Sequence, residues 1–455
     1  MLSFIDIIKR AEEGPKVDEK EFDLKWVYNN VKELVKEYDI KYNPEELIVT
    51  SEDFINNVFE AGFQLALRTG IYVVEYRSVI KFSEEEIKEG IKTARAQLVV
   101  GEGADSRILY SRKIEDQRAP FIMGGHAGAP YPDDLYFVSA LSYMQEPIID
   151  GINHGGIAVV NGLDVRTRSP LEALAAIKEL MYLREAARIA GRPGIHLLAA
   201  ESGVTAIGDL AAINSEYGLR KTDAHLVPVL NEMKTDWDRL IKAIVFKIRG
   251  GINCSLVDPV IGGFFGGPAG VAIGFIASFL LSRLVYQADY YIIHPIHNKW
   301  VSTSVPEGLW VLSTVGQAMS KHTNFILMGD VWTSNGAGSQ EIFWEIVANT
   351  ITNVVTGSHP LGVSATNGKY PHASGLETRF MGEVAHASIK LSRREANEIV
   401  KIFLKKYHPE KTEKPNIGKP IYELYDVKTM RPRDWWLNIY KQAVKEVAEY
   451  GIKIA

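Results

Sequence analysis

A chain of 455 residues, 46% hydrophobic and 24% charged, carries enough apolar content for a large core, as one embellished domain or two. A net charge of -5 and a pI of about 6.2 give no electrostatic case for nucleic acid as the main partner. The single cysteine, Cys254, excludes an intramolecular disulfide framework and suits a reducing cytoplasm.

Met1 to Glu13 alternates charged and apolar residues, without the sustained apolar core of a signal peptide. Residues 1–116 then read as a helical N-terminal layer, with Glu19 to Tyr38, Asp53 to Leu67 and Ser83 to Ala96 as its helices and no strand run of similar strength. Ser51-Glu52-Asp53 and Phe82-Ser83-Glu84-Glu85-Glu86 have the form of helix starts, a serine cap followed by acidic residues in the first turn.

From residue 117 the texture changes to short apolar runs, each followed by a helical segment. The expected strands are Ala119–Gly124, Gly156–Asn161, Ile195–Ala200, Leu226–Leu230, Ile252–Val257, Tyr290–His294, Phe325–Met328 and Asn353–Gly357. Between them lie helical patterns at Pro170–Ala190, Trp237–Lys247, Ala269–Leu284, Gly308–Ser320, Gln340–Thr350 and Leu376–Leu391. Eight βα units over residues 117–392 predict an α/β fold, a (β/α)8 TIM-type barrel, with residues 393–455 as a C-terminal helical extension.

Pro259 to Ser282 contains no charged residue and is long enough to cross a bilayer. Its Gly262-Gly263-Phe264-Phe265-Gly266-Gly267-Pro268 would break a helix early, so a glycine-rich loop feeding a buried helix is expected, with no membrane partner. His294 and His297 lie three apart, and along a strand such side chains face opposite ways, so no metal site is read there. No dinucleotide fingerprint, P-loop or serine elbow follows any of the strands.

In a barrel of this kind function sits where the strands end. Those ends carry Gly124-Gly125-His126, Asn161, Glu201, Asn231-Glu232, Asp258, His294 to His297, Asp330-Val331-Trp332 and Ser358-His359. The chemistry therefore rests on acids, imidazoles and aromatics.

Several runs in order carry a resemblance to the archaeal monomethylamine methyltransferases. They are Ala190-Gly191-Arg192-Pro193-Gly194, Thr222-Asp223 with His225, Leu230-Asn231-Glu232-Met233-Lys234, the loop Gly262 to Gly267, and Gly124 to Pro130. Ala61-Gly62-Phe63 and Gly70-Ile71-Tyr72 extend the similarity into the N-terminal layer. The resemblance implies a barrel assembled as a homohexamer, whose pocket takes a methylamine and passes its methyl group to the cobalt(I) of a corrinoid carried by a separate protein. It also places pyrrolysine, the family's special residue, where this sequence has Leu198, and the family's polar partners of that residue where it has Leu226, Leu256 and Val331.

Four apolar residues at those positions describe a remodelled pocket, since a buried carboxylate without its partner is costly. The candidate catalytic groups are then Glu201, Asp258 and Asp330, with Leu198, His225, Leu226, Leu256, Val331 and Trp332 as substrate-binding positions. Each acid also has a structural reading as a helix cap or loop brace. A quaternary ammonium donor needs no activation of its leaving group, and Trp332, Tyr131 and Asp330 are residue types that recognise such a cation. The donor is therefore expected to be a quaternary or other N-methyl compound. The alternative is a non-catalytic barrel acting as a scaffold or small-molecule binding protein, which a closed, wholly apolar pocket would favour.

Overall fold

The computed structural model of the protein describes residues 2–408 and 414–454. Eight parallel strands close into a barrel: β1 Met123–Gly124, β2 Gly151–Ile152, β3 His196–Ala199, β4 Ala224–Pro228, β5 Ile252–Val257, β6 Tyr290–Ile293, β7 Ile326–Trp332 and β8 His359–Ser364. Each strand pairs with its chain neighbour, and β8 closes on β1. One helix follows each strand: α1 Asp133–Met144, α2 Pro170–Ile189, α3 Ala206–Ile213, α4 Trp237–Ile248, α5 Pro268–Val285, α6 Pro306–His322, α7 Glu341–Val355 and α8 Gly375–Ala387. This is the expected (β/α)8 architecture.

The two-residue alternation of strands divides their side chains between two cores. Inward residues Met123, Leu198, Ala224, Cys254, Ile292, Met328 and Leu361 fill the barrel. The hairpin Gln97–Val100 with Arg107–Tyr110 closes its lower end, adding Leu98, Val100 and Leu109 to the same cluster. Outward residues meet the helices, and α5 is buried from Gly270 to Val285. That burial explains its bare apolar sequence: this helix, long and apolar enough to span a membrane, is a core helix here.

The N-terminal helices start as expected. Ser51 caps the helix Glu52–Thr69 by accepting from Phe54 N, and Ser83 forms a capping box at Glu84–Lys92. Glu52–Thr69 packs directly on α5, so this layer shares a core with the barrel helices. Beyond the barrel, Arg393–Tyr407 lies against α7, and Asp434–Glu449 contacts α8.

Four expectations about strands need correction. The N-terminal layer is not purely helical, since it contains the hairpin Ile71–Val73 with Ser78–Ile80 as well as Gln97–Val100 with Arg107–Tyr110. Gly156–Val160 is a strand, but it pairs with Pro130–Pro132 and Leu163–Asp164 outside the barrel. The barrel position belongs to Gly151–Ile152, too short to leave a periodic signal.

Asn353–Gly357 is the end of α7 and the turn after it. Its β-branched residues suggest a strand, yet the Thr352 and Thr356 hydroxyls bond back to carbonyls four residues earlier and Asn353 Nδ2 donates to Gly329 O, which satisfies them in a helix. The strand is β8, so Ser358 and His359 stand at its lower end. There His359 Nδ1 accepts from Phe121 N, far from the barrel mouth.

Candidate active site

A cavity of about 300 Å³ occupies the C-terminal mouth of the barrel. Its floor is apolar, made by Leu226 and Pro228 of β4, Leu256 of β5 and Ile292 of β6. Its walls carry Glu201, Asp258, His294, Asp330 and Trp332, with Arg239 and Lys242 reaching in from α4. An entirely apolar, sealed mouth is therefore excluded.

Glu201 follows β3 and is fixed by two donors. Gly128 N gives a hydrogen bond of 2.6 Å to its Oε2, and Asn153 Nδ2 one of 2.9 Å to its Oε1. Behind it, the buried Glu179 carboxylate accepts from the backbone N–H groups of Glu201 and Ser202 at 2.9 and 2.7 Å. Burial, reinforced by the neighbouring Glu179, pushes the Glu201 carboxyl up to about 8. Burial raises Glu179 to about 7 and Asp258 to about 6.

Across the barrel, β6 and β7 present a second group. His294 Nδ1 lies 3.3 Å from Asp330 Oδ2, and the imidazole stacks on the Trp332 indole with ring centres 4.4 Å apart. Burial pushes the Asp330 carboxyl well above its usual range and lowers His294 to about 3, so the imidazole is uncharged near neutrality. Among the described residues His294 Nε2 and Trp332 Nε1 are buried without a hydrogen-bond partner, while Ser364 lies at hydrogen-bonding range of Asp330.

The Trp332 ring is placed by two glycines in the left-handed region. A Cβ on Gly128 (φ +70°) would meet the ring at 2.6 Å, and one on Gly368 (φ +63°) at 2.3 Å. Its backbone is pinned as well, since Thr303 Oγ1 accepts from Trp332 N and Ser302 Oγ donates to Trp332 O.

On the side of β4, Lys242 Nζ is paired with Asp209 and donates to Gly203 O at 3.0 Å. Burial lowers its ammonium to about 8. Arg239 Nη1 donates to Asp236 Oδ2 at 2.7 Å, while its buried Nε has no partner among the described residues.

The structure brings Glu201, Asp258, Asp330, Trp332, Leu226 and Leu256 together and separates the other candidates. Leu198 is buried in the barrel core below the cavity, where its carbonyl accepts from Asn153 Nδ2, and it is not part of the wall. His225 faces outward on β4, 3.1 Å from Asp209 Oδ2 and against Phe246, because its neighbours Ala224 and Leu226 take the inward positions. Val331 likewise points into the helix layer between inward Asp330 and Trp332. Tyr131 is buried behind the site, its hydroxyl 2.8 Å from His126 Nδ1.

Asn153, His294, Arg239 and Lys242 were not among the expected site residues. Asn153 follows the two-residue β2, which gives no signal. Arg239 and Lys242 stand three apart on α4, a spacing that puts them on one helix face and was legible. Among the described residues no cluster of three or more His, Cys, Asp or Glu could hold a metal ion.

A closed barrel whose mouth gathers carboxyls, an indole and two basic side chains around a small cavity has the form of a barrel enzyme with its site at the C-terminal face. The sequence profile of the monomethylamine methyltransferase MtmB family matches residues 2–452, and the chain belongs to that family. Monomethylamine methyltransferase MtmB2 of Methanosarcina acetivorans is 29% identical, the match covering 98% of this chain and 97% of that one. MtmB1 of Methanosarcina barkeri matches with the same identity and coverage. The crystal structure of the M. barkeri monomethylamine methyltransferase superposes with a TM-score of 0.94, covering 99% of this chain and 98% of that one at 29% identity. A structure of the hydroxylamine MtmB complex superposes equally well.

Proposed function

We propose that this protein is a methyltransferase that takes a methyl group from a methylated ammonium compound and passes it to the cobalt(I) of a corrinoid carried by a separate protein. The observation that carries this reading is the cavity wall of Trp332, Asp330 and Glu201, an aromatic face beside carboxyls at the barrel mouth. Such a wall suits a cation. Exposed Val204 and Phe264 stand on the loops that follow β3 and β5, apolar ground that fits the planar macrocycle of the methyl acceptor.

Each side chain has a task in that reaction. Trp332 holds the ammonium head, and His294 orients the indole by stacking on it. Glu201 gives its proton to solvent as the cation enters and then balances its charge, with Asp258 and Asp330 beside it. Asn153 and Gly128 N hold the Glu201 carboxylate in place. Leu226 and Leu256 exclude water beneath the methyl group. In the transfer the nitrogen–carbon bond breaks, nitrogen keeps the bonding pair and leaves as a neutral amine, and the methyl group goes to cobalt(I). A fully substituted nitrogen needs no proton or covalent activation for this, which suits a chain with Leu198 where the family resemblance places pyrrolysine.

We place the protein in the cytoplasm, which its one buried thiol and its buried apolar helix support. The test is anaerobic mixing of the protein with cobalt(I) corrinoid and mono-, di-, tri- or tetramethylated ammonium donors. Growth of methylcobalt absorbance with at least one donor is expected, and no change with any of them overturns the reading.

A further inference from the structure

The cavity has two chemically opposite ends. Trp332, Asp330 and His294 come from β6 and β7. Arg239 and Lys242 come from α4, which packs beside β4 and β5. In the ring of eight strands β3 and β7 stand opposite each other, and Lys242 Nζ donates to Gly203 O in the loop that follows β3. The aromatic and acidic group of β6 and β7 thus shares one space with a basic pair from α4, with Glu201 and Asp258 also in the lining.

Neither basic residue is needed to neutralise the site's own acids. Lys242 is balanced by Asp209 and Arg239 by Asp236, both outside the cavity lining. Each still has hydrogen-bonding capacity left. Among the described residues the Arg239 side chain makes one hydrogen bond, from Nη1 to Asp236 Oδ2, and Lys242 Nζ makes one, to Gly203 O, beside its pairing with Asp209. The volume of about 300 Å³ also exceeds what a lone methylamine fills, at about 30 Å³ for each water-sized unit.

We infer that the methyl donor is a zwitterion, an N-methylated amino acid or betaine whose ammonium head meets Trp332 and Asp330 and whose carboxylate meets Arg239 and Lys242. This rests on the methyl-donor reading and narrows it to a substrate class. A bare methylamine has no group that Arg239 and Lys242 could bind. A carboxylate two or three bonds from the nitrogen supplies acceptors there, and charge-assisted bonds of that kind are the stronger ones.

The experiment is calorimetric binding of three probes that share a trimethylammonium or tetramethylammonium head: glycine betaine, choline and tetramethylammonium. The wild-type protein binds glycine betaine about tenfold more tightly than choline, the return on one charge-assisted contact. Arg239→Gln reduces that preference to about twofold with little change for choline. Lys242→Met alone would strand the Asp209 carboxylate and could unfold the chain, so the double variant Asp209→Asn with Lys242→Met serves as its partner test. Equal or tighter binding of choline by the wild type overturns the assignment, as does a preference that both variants leave unchanged. Methyl transfer from choline or tetramethylammonium without carboxylate preference would remove the zwitterion alone, whereas no binding and no transfer with any probe would remove the methyl-donor reading with it.

Discussion

Trp332 is held edge-on by glycines 128 and 368, and that clamp makes a flexible-looking mouth residue into a fixed wall. A desolvated cation over an indole gains about 2 kcal/mol, so Trp332→Ala should weaken tetramethylammonium binding about 30-fold. Gly128→Ala should weaken it in the same direction, because its Cβ displaces the ring. Calorimetry on both variants checks this, and unchanged affinity in Trp332→Ala would remove the indole from the site. The acids beside it set the pH response. Glu201, pushed up to about 8, is protonated in the empty site near neutrality, and a cation requires its charged form. Removing that proton becomes free of cost as pH rises, so cation affinity should climb from pH 6 and level off above about 8. Glu179 and Asp258, raised to about 7 and about 6, reinforce the climb, and Glu201→Gln should flatten its upper part. The same raised value means that the ligand-free fold loses stability as pH rises from 4.5 through about 8, since the folded state prefers the protonated group.

The strand ends decide which of two neighbours reaches the ligand. Leu226 faces the cavity and His225, one residue earlier, faces Asp209 and Phe246. Leu226→Phe should therefore fill the floor and cut donor affinity at least about tenfold, at an overpacking cost of about 1–3 kcal/mol. His225→Gln should lower the melting temperature while leaving donor affinity within about twofold, because it touches only the outer layer. A reversed pattern would mean that β4 is read out of register. This alternation also marks the limit of what the sequence discloses. The βα rhythm, the helix caps and most strands were legible from period and turn chemistry. Which end of a strand a polar residue occupies was legible for Glu201, Asp258 and Asp330. It failed where the strand was two residues long, as at Gly151–Ile152, and where β-branched residues sit in a buried helix end, as at Val354 and Val355. Matching Val331 to a polar family position also placed it in the pocket, whereas strand alternation turns it away. Some of the runs that carried the family resemblance turn out to be scaffold. Arg192 ties the lower barrel to Glu146 O and Asp105, and Asp223 holds Leu197 N.

Over the whole molecule, a barrel core closed from below by the Gln97–Tyr110 segment leaves the upper mouth as the way in. On the proposed reading the methyl acceptor approaches over the loops that bear Val204 and Phe264, 47% and 42% exposed. Val204→Asp and Phe264→Asp should each raise the KM for the corrinoid protein several-fold while donor binding in its absence stays unchanged; an equal loss of both would place these residues in the donor site instead. The central claim, that this barrel demethylates a preformed ammonium ion, is tested most directly by stoichiometry. The protein is incubated anaerobically with excess cobalt(I) corrinoid and a donor labelled with carbon-13 on its N-methyl groups, and both products are followed by NMR. One labelled methyl on cobalt for each donor molecule that has lost one methyl is the predicted result, with no transfer when the protein is omitted. Recovery of intact donor across quaternary, betaine and simple methylamine compounds would contradict the account.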